Sequence, residues 1–330
     1  MSWNARGLPA CVVPLVLLGI ATPAAGQILR VQELTAPEIA ALDRATTVIL
    51  LPGGILEEHG PYLPTYSDGY WNERLTTDIA RAVAARPGWQ VVVFPVIPLG
   101  NSGANDIGAR FSFPGTYTVR AETLRSVYMD LASELGEQGF RWVFVVHGHG
   151  APNHSRALDQ AGDFFRDSYG GHMVHVMGLM PVIAGWVGEK TEEAEAEDGL
   201  SIHSGMDETS WMLFLEPRRV RRAYRNAVPL AGSDLDALVE LARQEGWPGY
   251  FGSPRLASRR HGERIWRAVS TQAVELTLGI LDGLDERTIP RFAEEMANSP
   301  EDVRLDAASL AREDEMKRRQ MTWLAARGLR

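Results

Sequence analysis

Short apolar runs alternating with helical patterns leave this chain few folds to adopt. Thr47 to Leu51, Gln90 to Ile97, Trp142 to His147 and His172 to Met177 are rich in Val, Ile and Phe and do not alternate with polar residues. Strands buried on both faces read this way, and they belong to parallel sheets covered by helices. Helical periodicity fills the intervals at Tyr70 to Ala85, Arg120 to Glu137 and Ser155 to Asp167. This βαβα order, with right-handed crossovers, predicts an α/β fold: a three-layer α/β/α sandwich around a mostly parallel sheet. From about Arg287 onward the composition turns to charged amphipathic helix, most clearly Ala307 to Ala326. The reading there is a C-terminal helical extension that packs on the domain or on a neighbouring subunit and carries no chemistry of its own.

Residues 1–26 read as a signal peptide. Arg6 supplies a positive n-region, Ala10 to Ile20 a short apolar h-region, and Ala24-Ala25-Gly26 a small-residue cleavage site before Gln27. The apolar run is short for a bilayer, so no stable membrane anchor is expected; an uncleaved N-terminal anchor is the alternative. A periplasmic or secreted protein follows. Cys11 is the only cysteine, so the mature chain has no disulfide and must rely on a hydrophobic core. Roughly 300 residues can supply one, as a large domain over 27–286 with an extension over 287–330. A formal net charge of −9 without a basic stripe makes nucleic acid a poor partner.

Chemistry-bearing residues gather where the strands are expected to end. Directly after Thr47 to Leu51 come Glu57-Glu58-His59-Gly60-Pro61-Tyr62-Leu63-Pro64 and then Asp68. Open α/β sheets bind ligands at such carboxyl ends, and carboxylates with imidazoles hold divalent metals. Two positions apart in extended backbone, Glu57 and His59 fall on one side and can reach one metal or two adjacent ones, with Asp68 bridging. The bland alternative is a surface Glu and a hydrogen-bonded strand-end His. A second cluster, His147-Gly148-His149-Gly150-Ala151-Pro152-Asn153, flanks His149 with glycines that permit a tight turn. The helix that follows offers N–H groups for an anion or a developing oxyanion. His147 reads equally as a residue that orients its neighbour or ends the strand. The third cluster, His203-Ser204-Gly205-Met206-Asp207-Glu208-Thr209-Ser210, precedes the helical pattern Trp211 to Leu215. Ser204 or Asp207 can cap that helix and Glu208 can favour its dipole. Functionally, His203 can shuttle protons while Glu208 binds metal or acts as a base. The acidic stretch Glu189 to Asp198 reads as a solvated loop, with a mobile lid as the alternative. Three such clusters together point to a metal-dependent enzyme.

In these motifs the chain resembles the creatininase family, the creatinine amidohydrolase-like metalloenzymes. Members carry patterns close to G-x-x-E-Q-H-G-P-H-L-P-x-x-x-D, F-P-G-T, N-G-H-G-G-N and H-A-G-E-x-E-T-S. Here these stand as Gly54 to Asp68, Phe113-Pro114-Gly115-Thr116, His147 to Asn153 and His203 to Ser210. A closing G-x-P-x-x-A is echoed by Gly252 to Ala257, so the resemblance spans about residues 30 to 283. It implies that Glu57, His59, Asp68 and His149 are metal ligands, with Asp68 bridging two divalent ions, Zn²⁺ and/or Mn²⁺. Fe²⁺ also suits this donor set. Creatinine-hydrolysing members have a further carboxylate where Ala151 stands, and that role is assigned to Glu208. His203 falls on the family's catalytic His, Ser102 on a substrate-contacting loop, and Gly150 and Ala151 near the carbonyl oxygen. The resemblance further implies a homo-oligomer, commonly a hexamer.

Departures from the pattern bear on the substrate. Tyr62 replaces the second His of the first motif, His147 the Asn of the third and Met206 the first Glu of the last. Gly199-Leu200 stand where creatinine-hydrolysing members have Trp-Asp, which removes an aromatic wall and an acceptor for creatinine's guanidine-like edge. The expected function is therefore an exported, dinuclear metal-dependent amidohydrolase that hydrolyses a linear or cyclic amide of a small molecule through a metal-bridging hydroxide. The alternatives are metallopeptidase-like trimming of a small peptide, and a non-catalytic periplasmic ligand-binding protein.

Overall fold

The computed structural model describes residues 26–329, so the expected leader lies outside the described residues except for Gly26. Strands β1 (Ile28–Arg30), β2 (Thr47–Pro52), β3 (Gln90–Val93), β4 (Trp142–Val146) and β5 (His172–His175) form one sheet in the order β1-β3-β2-β4-β5. All pairings are parallel. Every residue of β2 is buried, which is what its unbroken apolar run requires. Val48 and Leu50 face a layer with Leu75 and Ile79, whereas Ile49 and Leu51 face Leu124, Tyr128 and Leu158 on the other side. Burial of each such side chain contributes roughly 1.5–3 kcal/mol.

The covering helices are α1 (Ser67–Ala84), α2 (Ala121–Glu137), α3 (Pro152–Tyr169), α4 (Met206–Leu215), α5 (Arg259–Leu281) and α6 (Pro300–Ala325). The first and fifth of these share one layer, and α2 with α3 the other. From β2 the chain crosses to β3 on one side; from β3 it crosses back over β2 to β4. Right-handed crossovers in opposite directions put α1 and α2 on opposite faces and open a crevice at the carboxyl ends of β2 and β4. The last rung there is Gly53 N–H to Val146 O at 2.9 Å. A Cβ on Gly53 would lie 1.9 Å from the His147 ring, so only glycine lets the two strand ends sit side by side.

The sequence expectations differ from the structure in places. Strand β3 stops at Val93 rather than Ile97 because Pro95 interrupts the ladder, which resumes as a bridge between Ile97 and Gly53. The three-residue edge strand β1 is too short to show a periodicity. Glu189 to Asp198 is not a solvated loop: Glu192–Asp198 is helical, with Thr191 accepting from the Ala194 N–H. Asp198 is fully buried, pairs with Lys190 at 2.6 Å and accepts the N–H groups of Met206 and Ser253. Those partners neutralise the charge and pin the segment that leads into His203. No helix of the described residues is long and apolar enough to cross a membrane.

Candidate metal centre

The five site residues expected to bind metal arrive at the β2–β4 crevice from four local structures. Glu57 and His59 follow β2, Asp68 sits in the first turn of α1, His149 lies between β4 and α3, and Glu208 in the first turn of α4. His203 lies just before α4. Glu57, His59 and His203 are almost fully buried.

Three imidazoles share one arrangement: each ties one ring nitrogen to a backbone carbonyl and turns the other toward carboxylates. His59 uses Nδ1 on Glu57 O at 3.1 Å and presents Nε2 to Asp68 at 3.4 Å and Glu208 at 3.6 Å. His149 uses Nε2 on Ser102 O at 2.7 Å and presents Nδ1 to Glu57 at 3.1 Å and Asp68 at 3.3 Å. His203 uses Nε2 on Glu58 O at 2.7 Å and presents Nδ1 to Glu57 at 3.7 Å and Glu208 at 3.9 Å. A carbonyl partner of this kind fixes the tautomer and ring orientation of a metal-binding His. Two donor sets result, Glu57–His59–His203 and Glu57–Asp68–His149, each with donor atoms within 4.8 Å of one another. Asp68 faces His59 through Oδ1 and His149 through Oδ2, and its buried Oδ2 makes no hydrogen bond. An unpaired buried carboxylate oxygen among nitrogen donors fits a divalent cation, as does the mixed carboxylate–imidazole chemistry.

The electrostatics agree. Burial and the facing His203 work against a charged His59, yet Asp68 and Glu208 raise it to about 9. Burial likewise opposes charge on His203, but Glu57, Glu58 and Glu208 raise it to about 10. Burial pushes Glu57 and Asp68 up, and the imidazoles outweigh it and hold both below the usual carboxylate range. Without metal the centre therefore holds protons that a cation must displace. The His pKa values in the fold exceed the unfolded value of about 6.5. Their stabilisation is complete below about pH 6.5 and is lost as pH rises through about 9 and 10. The Tm gain on adding Zn²⁺ is thus expected to grow from about pH 6 to about pH 8. Differential scanning fluorimetry checks this, and a gain that shrinks with pH would contradict it.

A cavity of about 570 Å³ opens over the centre. Trp71, with Trp186 and Trp211 packed against it, lines the cavity, as do Leu200 and Ile202. Ser102, Gly150 and Ala151 also line it. Pro152 opens α3, so that helix lacks one of the N–H donors anticipated at its start. His147 points away from the centre: it is fully buried, bonds Leu99 O at 2.9 Å, and burial lowers it to about 3. Neither Ser204 nor Asp207 caps α4, whose N-cap is Gly205; Asp207 instead pairs with His261 at 2.6 Å. The C-terminal extension is not chemically silent, since Phe292, Met296, Leu305 and Ser309 form a wall of the cavity. Sequence reasoning also passed over Glu58, which is buried 3.5 Å from His203 Nε2, although it stood within the first motif.

A parallel α/β/α sandwich with carboxylate and imidazole donors converging at its switch point presents a candidate metal centre at the carboxyl ends of its strands. The chain belongs to the creatininase family, described as creatinine amidohydrolase, whose sequence profile matches residues 32–277. It is 32% identical over 235 residues to a mycofactocin precursor peptide peptidase of Mycobacterium ulcerans (strain Agy99), covering 66% of this chain and 79% of that protein. The corresponding peptidase of Mycolicibacterium smegmatis is 28% identical over 229 residues, with the same coverages. Among solved structures, a creatininase mutant complexed with creatine superposes with a TM-score of 0.57 at 24% identity, covering 76% of this chain and 98% of that one. A Mn creatininase superposes at 0.53 and 24% identity, covering 79% and 99%. A Zn–Zn type mutant superposes at 0.53 and 25%, covering 79% and 98%.

Proposed function

We propose that this protein is a dinuclear metal-dependent amidohydrolase that cleaves the C–N bond of an amide, with a short peptide as the favoured substrate class. The observation that carries the reading is the common arrangement of the three imidazoles around Glu57, Asp68 and Glu208. When bound, two divalent ions supply a nucleophile from water at neutral pH and positive charge against the carbonyl oxygen. Glu57, His59, Asp68, His149 and Glu208 would hold them.

The rest is the work of side chains and backbone. The tryptophan wall and Leu200 exclude water and seat apolar parts of the substrate. Ser102 and the backbone at Gly150 and Ala151 orient the amide. Breaking the C–N bond leaves an electron pair on nitrogen that needs a proton. His203 Nδ1 faces the centre while Nε2 is committed to Glu58 O, so Nδ1 is the atom that delivers it. Glu208 Oε2 accepts the Ser204 N–H at 2.7 Å and is thereby held toward both His59 and His203.

The cavity volume lies within the range typical of ligands much larger than creatinine. Leu200 lines it where creatinine-hydrolysing members carry Trp-Asp. Together with the peptide peptidase relatives, this favours a peptide over creatinine. A small non-peptide amide is the second reading, supported by the creatine-bound member of the family. Turnover of short peptides measured beside lactams and formamides, after Zn²⁺ or Mn²⁺ reconstitution, separates the two. Tight binding without product from any of them would favour the ligand-binding protein instead. The leader-like residues 1–26 support export, which cell fractionation tests, and the family resemblance supports a homo-oligomer, which light scattering tests.

A further inference from the structure

We infer that the C-terminal helix α6 is a positioning element of the metal centre: through Ser309 and Glu313 it holds the segment Asn101 to Asp106, which in turn fixes His149 and Glu57. The inference rests on the metal-hydrolase reading above. It starts from what that segment does. Ser102 O accepts the His149 Nε2–H at 2.7 Å, and the Ala104 N–H donates to Glu57 Oε1 at 2.6 Å. One short stretch of backbone thus sets the orientation of two metal-facing side chains.

That stretch is not held by its internal bonds, Ser102 to Asp106 and Asp106 N–H to Gly103 O, alone. Ser102 has φ +60°, a left-handed conformation unfavourable for a residue with a Cβ, which persists only where the surroundings enforce it. His154 and Val119 hold Asn101 from the domain side, and further enforcing contacts come from α6. Ser309 Oγ donates to Asp106 Oδ2 at 3.1 Å, Ser102 Oγ donates to the same oxygen at 3.0 Å, and the two hydroxyls lie 3.3 Å apart. One turn on, Glu313 accepts from Asn101 Nδ2 at 2.5 Å and from the Ala121 N–H at 2.9 Å. Ser309 is only 5% exposed, in a helix that is otherwise largely open to solvent. Asp306 docks the same helix on α3, near His149, through Arg156 at 3.3 Å and a carbonyl bond from Asn153. The family profile ends at residue 277, so this chain supplies the clamp from outside the matched region.

The test is the Zn²⁺ affinity of the full-length protein, measured by chelator competition with Tm recorded in parallel. Asp106→Ala is expected to weaken Zn²⁺ binding about ten- to hundredfold, the usual loss for a group that orients a metal ligand. Asp106→Asn, which keeps an acceptor for both hydroxyls, should stay within about threefold of the wild type. Lys317→Ala removes a surface pair between α6 and Glu122 and should leave the affinity unchanged. If Asp106→Ala does not accumulate, Ser309→Ala deletes a single hydroxyl and is expected to weaken binding by about three- to tenfold. Wild-type affinity in both Asp106→Ala and Ser309→Ala would overturn the clamp while leaving the metal hydrolase standing. Equal weakening by Lys317→Ala would also overturn it, by reducing α6 to general stabilisation. A wild-type protein that takes up no metal would remove the clamp together with the reading beneath it.

Discussion

Asp68→Ala is expected to empty the centre of most of its metal and to lower turnover by on the order of 10³-fold or more, about 4 kcal/mol of transition-state stabilisation. The size of the effect follows from position. Asp68 turns its two oxygens to two imidazoles, Oδ1 toward His59 at 3.4 Å and Oδ2 toward His149 at 3.3 Å. Its removal takes an oxygen from the Glu57–Asp68–His149 set and deprives His59 and His149 of a charge that raises them. Because Asp68 also lies in the first turn of α1, some fold stability goes with it, roughly 0.3–1 kcal/mol from the helix dipole. Metal content and steady-state activity of the variant check this together. Full metal with full activity would remove Asp68 from the centre.

His203→Gln is expected to keep both metals and lose about 10²- to 10⁴-fold in turnover, the usual contribution of a positioned acid or base. Gln is the informative replacement because its amide can still donate to Glu58 O, preserving the 2.7 Å bond now made by Nε2. What disappears is the exchangeable proton at Nδ1. A variant that loses one metal ion instead would place His203 among the ligands. That outcome has a structural basis in the Glu57–His59–His203 donor set. Metal analysis beside a pH–rate profile distinguishes the two roles.

The parallel sheet was readable in the sequence because β2 and β4 are buried on both faces, and burial on both faces leaves a continuous apolar run. The candidate ligands were readable for a related reason. Each sits within a few residues of a strand or helix end, so local motifs mark them. The wall supplied by α6 was not readable. Ser309 is one serine in a charged amphipathic stretch, and its partners Ser102 and Asp106 lie 207 and 203 residues away in the chain. No periodicity encodes such a contact. Asp198 is hidden for the same kind of reason: in sequence it is one acid among many, and only Lys190 with the N–H groups of Met206 and Ser253 makes it a buried anchor. Helix α5, which the sequence expectations do not include, is amphipathic and places Ile265, Trp266 and Val269 in the core beside α1.

The measurement that bears most directly on a dinuclear hydrolase is the number of divalent ions per chain. Elemental mass spectrometry on protein spanning Gln27 to Arg330, after reconstitution with Zn²⁺ or Mn²⁺ and removal of excess metal, gives that number. About two ions per chain are expected, shared among Glu57, His59, Asp68, His149 and Glu208. Protein that remains metal-free under both conditions would contradict a metal-dependent amidohydrolase.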